Sequence, residues 1–467
     1  MKLTRRAFAQ TFAAPLAFAA DNRPNIILCM GDDHGWNETS YNGHPRVKTP
    51  ILDQMAASGL RFDRFYSAHP NCSPTRGSIM TGRHPNRYGT FAPNWSMRPE
   101  EITIAQLLRK AGYATGHFGK WHLGPVKAAA PTCPGKMGFD EWLSHDNFYE
   151  LNPHFSRNGG PVEQIQGESS EIVVREAIRF IEKAQKAGRP SFTVIWFGSP
   201  HAPYQGIEPY LSHYKDLKEP FRSRLAEIEA MDSAIGQLRA ALRKMNLRDN
   251  TLFWYCGDNG VPRDGLMQMP LRGAKGQVYE GGVRVPGVIE WPARIAKPRT
   301  TAVPAVTTDM LPTLCDLTGI ALPKRPLDGI SLKPLIDGAM KERPAPIYFW
   351  EFAHAREQKS NRQPYIPVHL QSGTTPTATS RDGKLTRDFF NFRHGKIEEA
   401  DFEGPAAVLT NRYKFVRTQG PELYDIPADP KEANNLAAAQ TTQIAKFQSD
   451  LKAWQKSVLA SLTGADY

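Results

Sequence analysis

Short apolar runs that end in glycine and acidic residues, separated by helix-length stretches, constrain this chain more than any other feature. Asn25 to Met30 is apolar after its polar entry and stops at Gly31-Asp32-Asp33, as expected of a strand buried on both faces. Pro50 to Ser58 reads as a helix that stops at Gly59. The alternation then repeats with a helix from Ile102 to Lys110, a strand from Tyr113, a helix from Glu171 to Lys186 and a strand from Phe192 to Phe197. A longer helix, Leu225 to Met245, precedes a strand from Thr251 to Cys256. Such alternation predicts an α/β sheet with helices on both faces. From about Lys341 the texture changes. Strands are expected at Ile347 to Phe352, Ala406 to Arg417 and Glu422 to Ile426, closed by a helix from Thr442 to Leu459. This predicts a small α+β C-terminal domain over 341–467, after a larger one over 24–340. The polar, weakly periodic stretch Glu357 to Gly404 reads as a functional loop or as disorder.

The 467 residues, 40% of them hydrophobic, suffice for a large globular core. The apolar N-terminal run is too short to span a bilayer, which argues against stable membrane insertion. Thr4-Arg5-Arg6-Ala7-Phe8 followed by Thr11 to Ala20 looks like a twin-arginine export signal over residues 1–19, with Ala17-Phe18-Ala19 as its cleavage site. The expected location is periplasmic or extracellular. The formal charge is +11, of which Lys2, Arg5 and Arg6 lie in the signal. A basic balance favours an anionic substrate, and diffuse Lys and Arg give no reason to expect a nucleic-acid partner. Five cysteines at irregular spacing form neither a disulfide framework nor a zinc set. Cys29, Cys256 and Cys315 read as reduced core residues, with Cys133 undecided.

Asp32 and Asp33 are neighbours, so both serve one site only if the chain bends, and Gly31 permits the bend. The strand Thr251 to Cys256 ends the same way, in Gly257-Asp258-Asn259-Gly260. Ligands of α/β sheets collect at the carboxyl ends of strands. Three carboxylates and an amide oxygen there suit calcium, and magnesium less well. Each pair taken singly reads as a turn or cap; two pairs ending two buried strands point to a metal. Cys72-Ser73-Pro74-Thr75-Arg76 reads as a helix start with Pro74 at the first position and Arg76 one turn on, over Cys72. Lys120 and His122 are placed on one face by strand alternation. His201 follows a buried strand, and Lys275 lies in the glycine-flanked loop Arg272 to Gly276. Any one of these four, alone, reads as a surface charge or a hydrogen-bonded core histidine and not as a site.

Taken in order, Asp32-Asp33, Cys72 to Arg76 with Thr81-Gly82-Arg83, Gly119 to Gly124, His201, Gly257 to Gly260 and Lys275 with Glu280-Gly281-Gly282 resemble the formylglycine-dependent sulfatases of the alkaline phosphatase superfamily. The branch containing arylsulfatase A and N-acetylgalactosamine-6-sulfatase is the most similar. The resemblance implies a large mixed, mostly parallel sheet flanked by helices. It implies that a maturation enzyme converts Cys72 to Cα-formylglycine, whose hydrate is the nucleophile, and that Asp32, Asp33, Asp258 and Asn259 hold the metal beside it. Arg76 and Lys120 would stabilise the ionised hydrate, Lys275 would neutralise the sulfuryl oxygens, His201 would protonate the departing alcohol, and His122 would serve as base in the second step. A sulfated polysaccharide is the implied substrate, with His145, Asn147, Tyr149 and the 357–404 stretch as candidates for recognising it.

Three rival readings compete. A phosphonate or phosphate ester hydrolase can carry the same Cys72 to Arg76 pattern. A cysteine phosphatase would want a longer loop between Cys and Arg and leaves both acidic pairs unused. A glycan-binding protein has no evident need for a buried metal cluster.

Overall fold

The computed structural model describes residues 23–266, 270–353, 363–377 and 385–467. The export signal expected at 1–19 and part of the 357–404 stretch lie outside them. The strands of the large sheet are β1 (Asn25–Gly31), β2 (Leu60–Tyr66), β3 (Ala114–Lys120), β4 (Glu141–His145), β5 (His154–Arg157), β6 (Val162–Gln164), β7 (Ser191–Trp196), β8 (Thr251–Gly257), β9 (Arg284–Glu290), β10 (Arg299–Thr301) and β11 (Ala305–Val306). Their order is β10-β2-β9-β8-β1-β7-β3-β4-β5-β6, with β11 beside β2. The four central neighbours β8, β1, β7 and β3 run parallel, so their carboxyl ends lie side by side. β9 runs antiparallel to both β8 and β2, making the sheet mixed.

β1 shows why the apolar runs are unbroken. Ile26, Leu28 and Met30 enter one core and Ile27 and Cys29 the other, so neither face tolerates a polar residue. The helices are α1 (Pro50–Ser58), α2 (Cys72–Thr81), α3 (Ile104–Lys110), α4 (Ser169–Lys186) and α5 (Phe221–Lys244). α1, α4 and α5 cover the Ile27 face; α2, α3 and the helix Met310–Thr318 cover the other. α3 starts two residues later than expected because Thr103 caps it, in a reciprocal pair with Gln106.

The C-terminal part holds a four-stranded antiparallel sheet: β12 (Ile347–Trp350), β13 (Ala406–Leu409), β14 (Tyr413–Arg417) and β15 (Pro421–Asp425). The single strand expected over 406–417 is a hairpin, turned where Thr410 donates its N–H to the Tyr413 carbonyl and accepts from the Tyr413 N–H on Oγ1. The helix Thr441–Leu462 packs on this sheet through Phe447, Leu451 and Leu459. All five cysteines are buried and free, Cys133 included. No described helix is long and apolar enough to cross a membrane.

Candidate active site at the strand ends

The chain bends after β1 at Asp33 itself, whose φ is 57°, and not at Gly31. Gly31 is required for space: a Cβ there would come within 2.8 Å of the Tyr255 hydroxyl. The left-handed turn is held by the Asp33 N–H, which donates to Asp258 Oδ1 at 2.8 Å. Asn259 Nδ2 donates to Asp33 Oδ1 at 2.7 Å. The ladder continues past the strands, with the Asp32 N–H on the Ser199 carbonyl and the Asp258 N–H on the Gly31 carbonyl. The ends of β1, β7 and β8 are thus stitched into one floor.

α2 begins at Cys72, with Asn71 before it, so Pro74 occupies the third helical position and not the first. That costs nothing, because first-turn N–H groups have no partner inside the helix. Cys72 is buried, and its Sγ lies 3.9 Å from Asp33 Oδ1. Arg76 does not stand free over the cysteine. Its guanidinium donates to Asp258 Oδ2 at 2.9 Å and to the Lys120 carbonyl at 3.1 Å, and lies 3.5 Å from Asp32 Oδ1.

Lys120 ends β3 and donates to Asp32 Oδ2 at 2.6 Å. The strand stops there, and His122 has φ 58°, so alternation does not place the two side chains. A turned backbone does. His122 Nε2 lies 2.9 Å from Asn94 Oδ1, and its Nδ1 is buried without a hydrogen-bond partner. His201 Nδ1 lies 2.6 Å from the Ala202 carbonyl and so carries the proton, which leaves Nε2, 3.7 Å from Asp33 Oδ2, open for exchange. The Phe148 ring stacks on His201 at 4.5 Å. Lys275 Nζ reaches both Asp33 oxygens, at 2.6 and 2.8 Å.

Burial raises all three carboxyls, but neighbours separate them. Lys120, His201 and Arg76 bring Asp32 well below the usual range, and Lys275 and His201 lower Asp33. Asp258 stays pushed up, by burial and by the Asp32 charge. Burial pushes the Cys72 thiol up to about 12 against the pull of Lys120 and Lys275, the reverse of what a thiolate nucleophile needs. Burial also pushes His201 down to about 4 and His122 well below its ordinary value. Lys275 is held up by Asp33 although burial opposes its charge.

The ten residues named from the sequence therefore meet at one place, the floor of a cavity of about 850 Å³ into which Asp33, Cys72, His122, His201 and Lys275 face. Of the three residues offered for substrate recognition, Asn147 lines the cavity. Tyr149 turns into the core and donates to the Trp196 carbonyl, and His145 is buried against the Pro376 carbonyl. Asn94, Phe148, Tyr204 and Arg263 also line it and carried no signal in the sequence. Arg387 lines it too, from the 357–404 stretch offered for recognition.

A family model described as "Sulfatase" matches residues 24–320, and one described as "N-sulphoglucosamine sulphohydrolase, C-terminal" matches 274–369. Arylsulfatase A of Homo sapiens is 31% identical over 98% of this chain and 92% of its own. N-acetylgalactosamine-6-sulfatase of Canis lupus familiaris is 30% identical over 79% of this chain and 80% of its own. Among solved structures, Ps i-CgsB in complex with k-i-k-neocarrahexaose superposes with a TM-score of 0.77 at 25% identity, over 93% of each chain.

Proposed function

The chain belongs to the sulfatase family, and from that premise we propose that it hydrolyses sulfate esters of sulfated polysaccharides or oligosaccharides, with position 72 acting as formylglycine beside a calcium ion. The observation that carries this reading is the meeting of four oxygen-bearing side chains, a buried cysteine and three cations on the floor of one cavity. The donor set fits a hard cation. Asp32 Oδ1 and Asn259 Oδ1 are buried atoms without a hydrogen-bond partner, and Asp32, Asp33 and Cys72 bring ligand atoms within 4.8 Å of one another. Asp32, Asp33, Asp258 and Asn259 would hold the ion together with position 72. Bound there, it would supply Lewis-acid charge to the sulfate group and to the attacking hydroxyl. Formylglycine would supply a geminal diol, which accepts the sulfuryl group on one oxygen and releases sulfate through the other.

The charges support the same assignment. Asp32, Asp33 and Asp258 face Arg76, Lys120 and Lys275 in the site. These balance, so a divalent ion leaves positive charge to be met by an anionic ester and an ionised nucleophile. Lys275, at the cavity surface, would neutralise the sulfuryl oxygens; Arg76 and Lys120, beneath it, would stabilise the ionised side chain at 72. As the imidazolium, with a second proton on Nε2 that the Asp33 and Asp32 charges favour, His201 would protonate the departing alcohol through Nε2, and His122 would take the remaining hydroxyl proton in the second step. We assign this chemistry to residues 24–340, with 341–467 as a supporting unit. A formylglycine-generating enzyme would act on Cys72 before burial hides it, and the Arg5-Arg6 signal would then export the folded protein to the periplasm or beyond.

Two measurements test the reading together. Mass analysis of the Cys72 peptide is expected to show the aldehyde, and the purified protein is expected to release sulfate from an aryl sulfate faster than phosphate from the matching aryl phosphate. A free thiol in desulfating protein, or undiminished activity after exhaustive chelation, defeats it; preferred turnover of the phosphate favours the ester hydrolase alternative. A panel of sulfated oligosaccharides then identifies the sugar and the sulfate position.

A further inference from the structure

Arg224 contacts neither the acidic cluster's side chains nor the cavity, yet it joins the two backbone segments that carry Asp33 and His201. It projects from α5 and is fully buried. Its Nε and Nη2 grip both oxygens of Glu38, at 2.7 and 2.9 Å. The same guanidinium donates to the Asp33 carbonyl at 2.9 Å, to the Pro200 carbonyl at 3.1 Å and to the Tyr204 hydroxyl at 2.5 Å. Tyr204 passes the connection on to Asp264 at the cavity mouth, 2.9 Å away. A planar fork of fixed donors can serve three segments at once, and a lysine cannot.

Two of the acceptors are backbone carbonyls next to functional side chains. One belongs to Asp33, in its left-handed turn; the other belongs to Pro200, the residue before His201. The orientation of the His201 ring is set by the Ala202 carbonyl of its own loop and by the face of Phe148, which follows β4. The distance of the His201 loop from Asp33 is set between segments, by the backbone bond from the Asp32 N–H to the Ser199 carbonyl and by Arg224, which holds the carbonyls of Asp33 and Pro200 together. A general acid must stand within hydrogen-bond reach of the oxygen it protonates, and an error of about 1 Å costs on the order of a hundredfold.

We propose that Arg224 is a positioning residue that fixes the His201 loop against the Asp33 turn, so that Nε2 meets the leaving-group oxygen of the ester. The proposal rests on the reading of His201 as the acid. It predicts a selective defect, because only a basic leaving alcohol needs the proton.

A series of aryl sulfates running from 4-nitrophenyl sulfate to phenyl sulfate tests this, with Arg224→Lys, His201→Ala and the double variant. Arg224→Lys is expected to lose about tenfold in kcat/KM on phenyl sulfate but only about twofold on 4-nitrophenyl sulfate. His201→Ala should steepen the series in the same sense, and the double variant should be no worse than His201→Ala. Calorimetric calcium affinity of Arg224→Lys should stay within about threefold of wild type, since no Asp32, Asp258 or Asn259 contact is touched. Equal losses across the series, additive losses in the double variant, or a calcium defect as large as the rate defect would each overturn the assignment. Should Arg224→Lys fail to fold, Glu38→Gln weakens the grip on the guanidinium with its shape kept; a smaller but equally selective loss supports the proposal, and a uniform one overturns it. A wild-type protein inactive on the whole series defeats the reading of the site itself, which is a different result from an active wild type matched by its variants.

Discussion

Position 72 concentrates the residue-scale chemistry. Its side chain is buried at the cavity floor, facing the cavity beside Asp33 and within the fields of Lys120 and Lys275. Serine at 72 offers a single hydroxyl: it can take up a sulfuryl group but has no second oxygen with which to expel it. Cys72→Ser is therefore expected to release one equivalent of phenol per site from an aryl sulfate and then stop, and steady turnover in a stopped-flow trace would remove the diol from the mechanism. Asp258 holds the Asp33 N–H with one oxygen and Arg76 with the other. Asp258→Asn keeps an acceptor for the N–H but removes a charge from the donor set, so calcium affinity should fall by a hundredfold or more, on the order of the largest losses seen for supporting residues. Calorimetry checks this without reference to turnover. The acidic pairs were legible because each ends an apolar run, a position that physical rules tie to ligands. Asn94, Phe148 and Arg224 were not, because each comes from a loop or helix remote in sequence whose own pattern is satisfied by folding. The strand alternation invoked for Lys120 and His122 failed for a local reason, the left-handed backbone at His122.

The central parallel strands declared themselves in the sequence; the short marginal strands did not, and neither did β9, which is buried along its whole length but interrupted by Pro286 and Gly287. β1, β7 and β8 read directly as strands. In β2, Arg61, Asp63 and Arg64 break the apolar pattern, and β4 to β6 are too short to show a period. The contact between the helix Thr441–Leu462 and the main body was equally hidden, because it is made by polar and aromatic side chains remote in sequence, among them Arg87 on Ser457 and Ser461, His84 against Trp454, and Asp328. Asp328 accepts from the His84 N–H, from Arg87 through Nε at 2.7 Å and Nη2 at 2.8 Å, and from Trp454 Nε1 at 2.8 Å. Burial would raise this carboxyl, but Arg87 and His84 hold it well below the usual range. A depressed folded pKa means that its stabilisation is complete above the unfolded value of about 4 and is lost as the pH falls from there. Burial also pushes His84 down to about 3, so stability declines on acidification from about pH 6.5 through that group as well. Asp328→Asn should cost about 3 kcal/mol at neutral pH, the order expected for breaking a buried ion pair. Melting temperatures of variant and wild type should draw together as the pH falls below about 4, the unfolded value, and meet only where the folded Asp328 carboxyl is itself protonated, well below the usual carboxylate range. Curves that stay parallel through that range would place the acid sensitivity elsewhere.

Across the whole molecule, the cavity is assembled from both halves of the chain, which the division drawn from sequence texture did not convey. Asp146 follows β4 and is fully buried. Its Oδ2 accepts from the Thr375 N–H at 2.7 Å and the Thr375 hydroxyl at 2.8 Å, and its Oδ1 from the Val126 N–H at 2.7 Å. Further along, the Phe390 N–H donates to the Asn94 carbonyl, and the Phe390 carbonyl accepts from Ser96. The polar stretch is thus fastened at two points to the large domain, one of them the residue that meets His122, and between those points it brings Arg387 to the cavity wall. Weak periodicity hid this, because Thr375 and Phe390 are held by hydrogen bonds to other segments and not within a helix of their own. Arg387 stands on the cavity wall, and a small aryl sulfate seated on Cys72 and Lys275 is expected to gain little from it. A sulfated oligosaccharide extends outward and carries anionic groups with it, and binding made remote from the reacting bond is where such a cation counts. Arg387→Ala is expected to raise KM for a sulfated oligosaccharide by about tenfold, the effect of losing one charge-assisted hydrogen bond. kcat/KM on 4-nitrophenyl sulfate should stay within about twofold, because the chemical step is untouched. Equal losses on the two substrates would show that Arg387 supports the wall and does not touch the sugar.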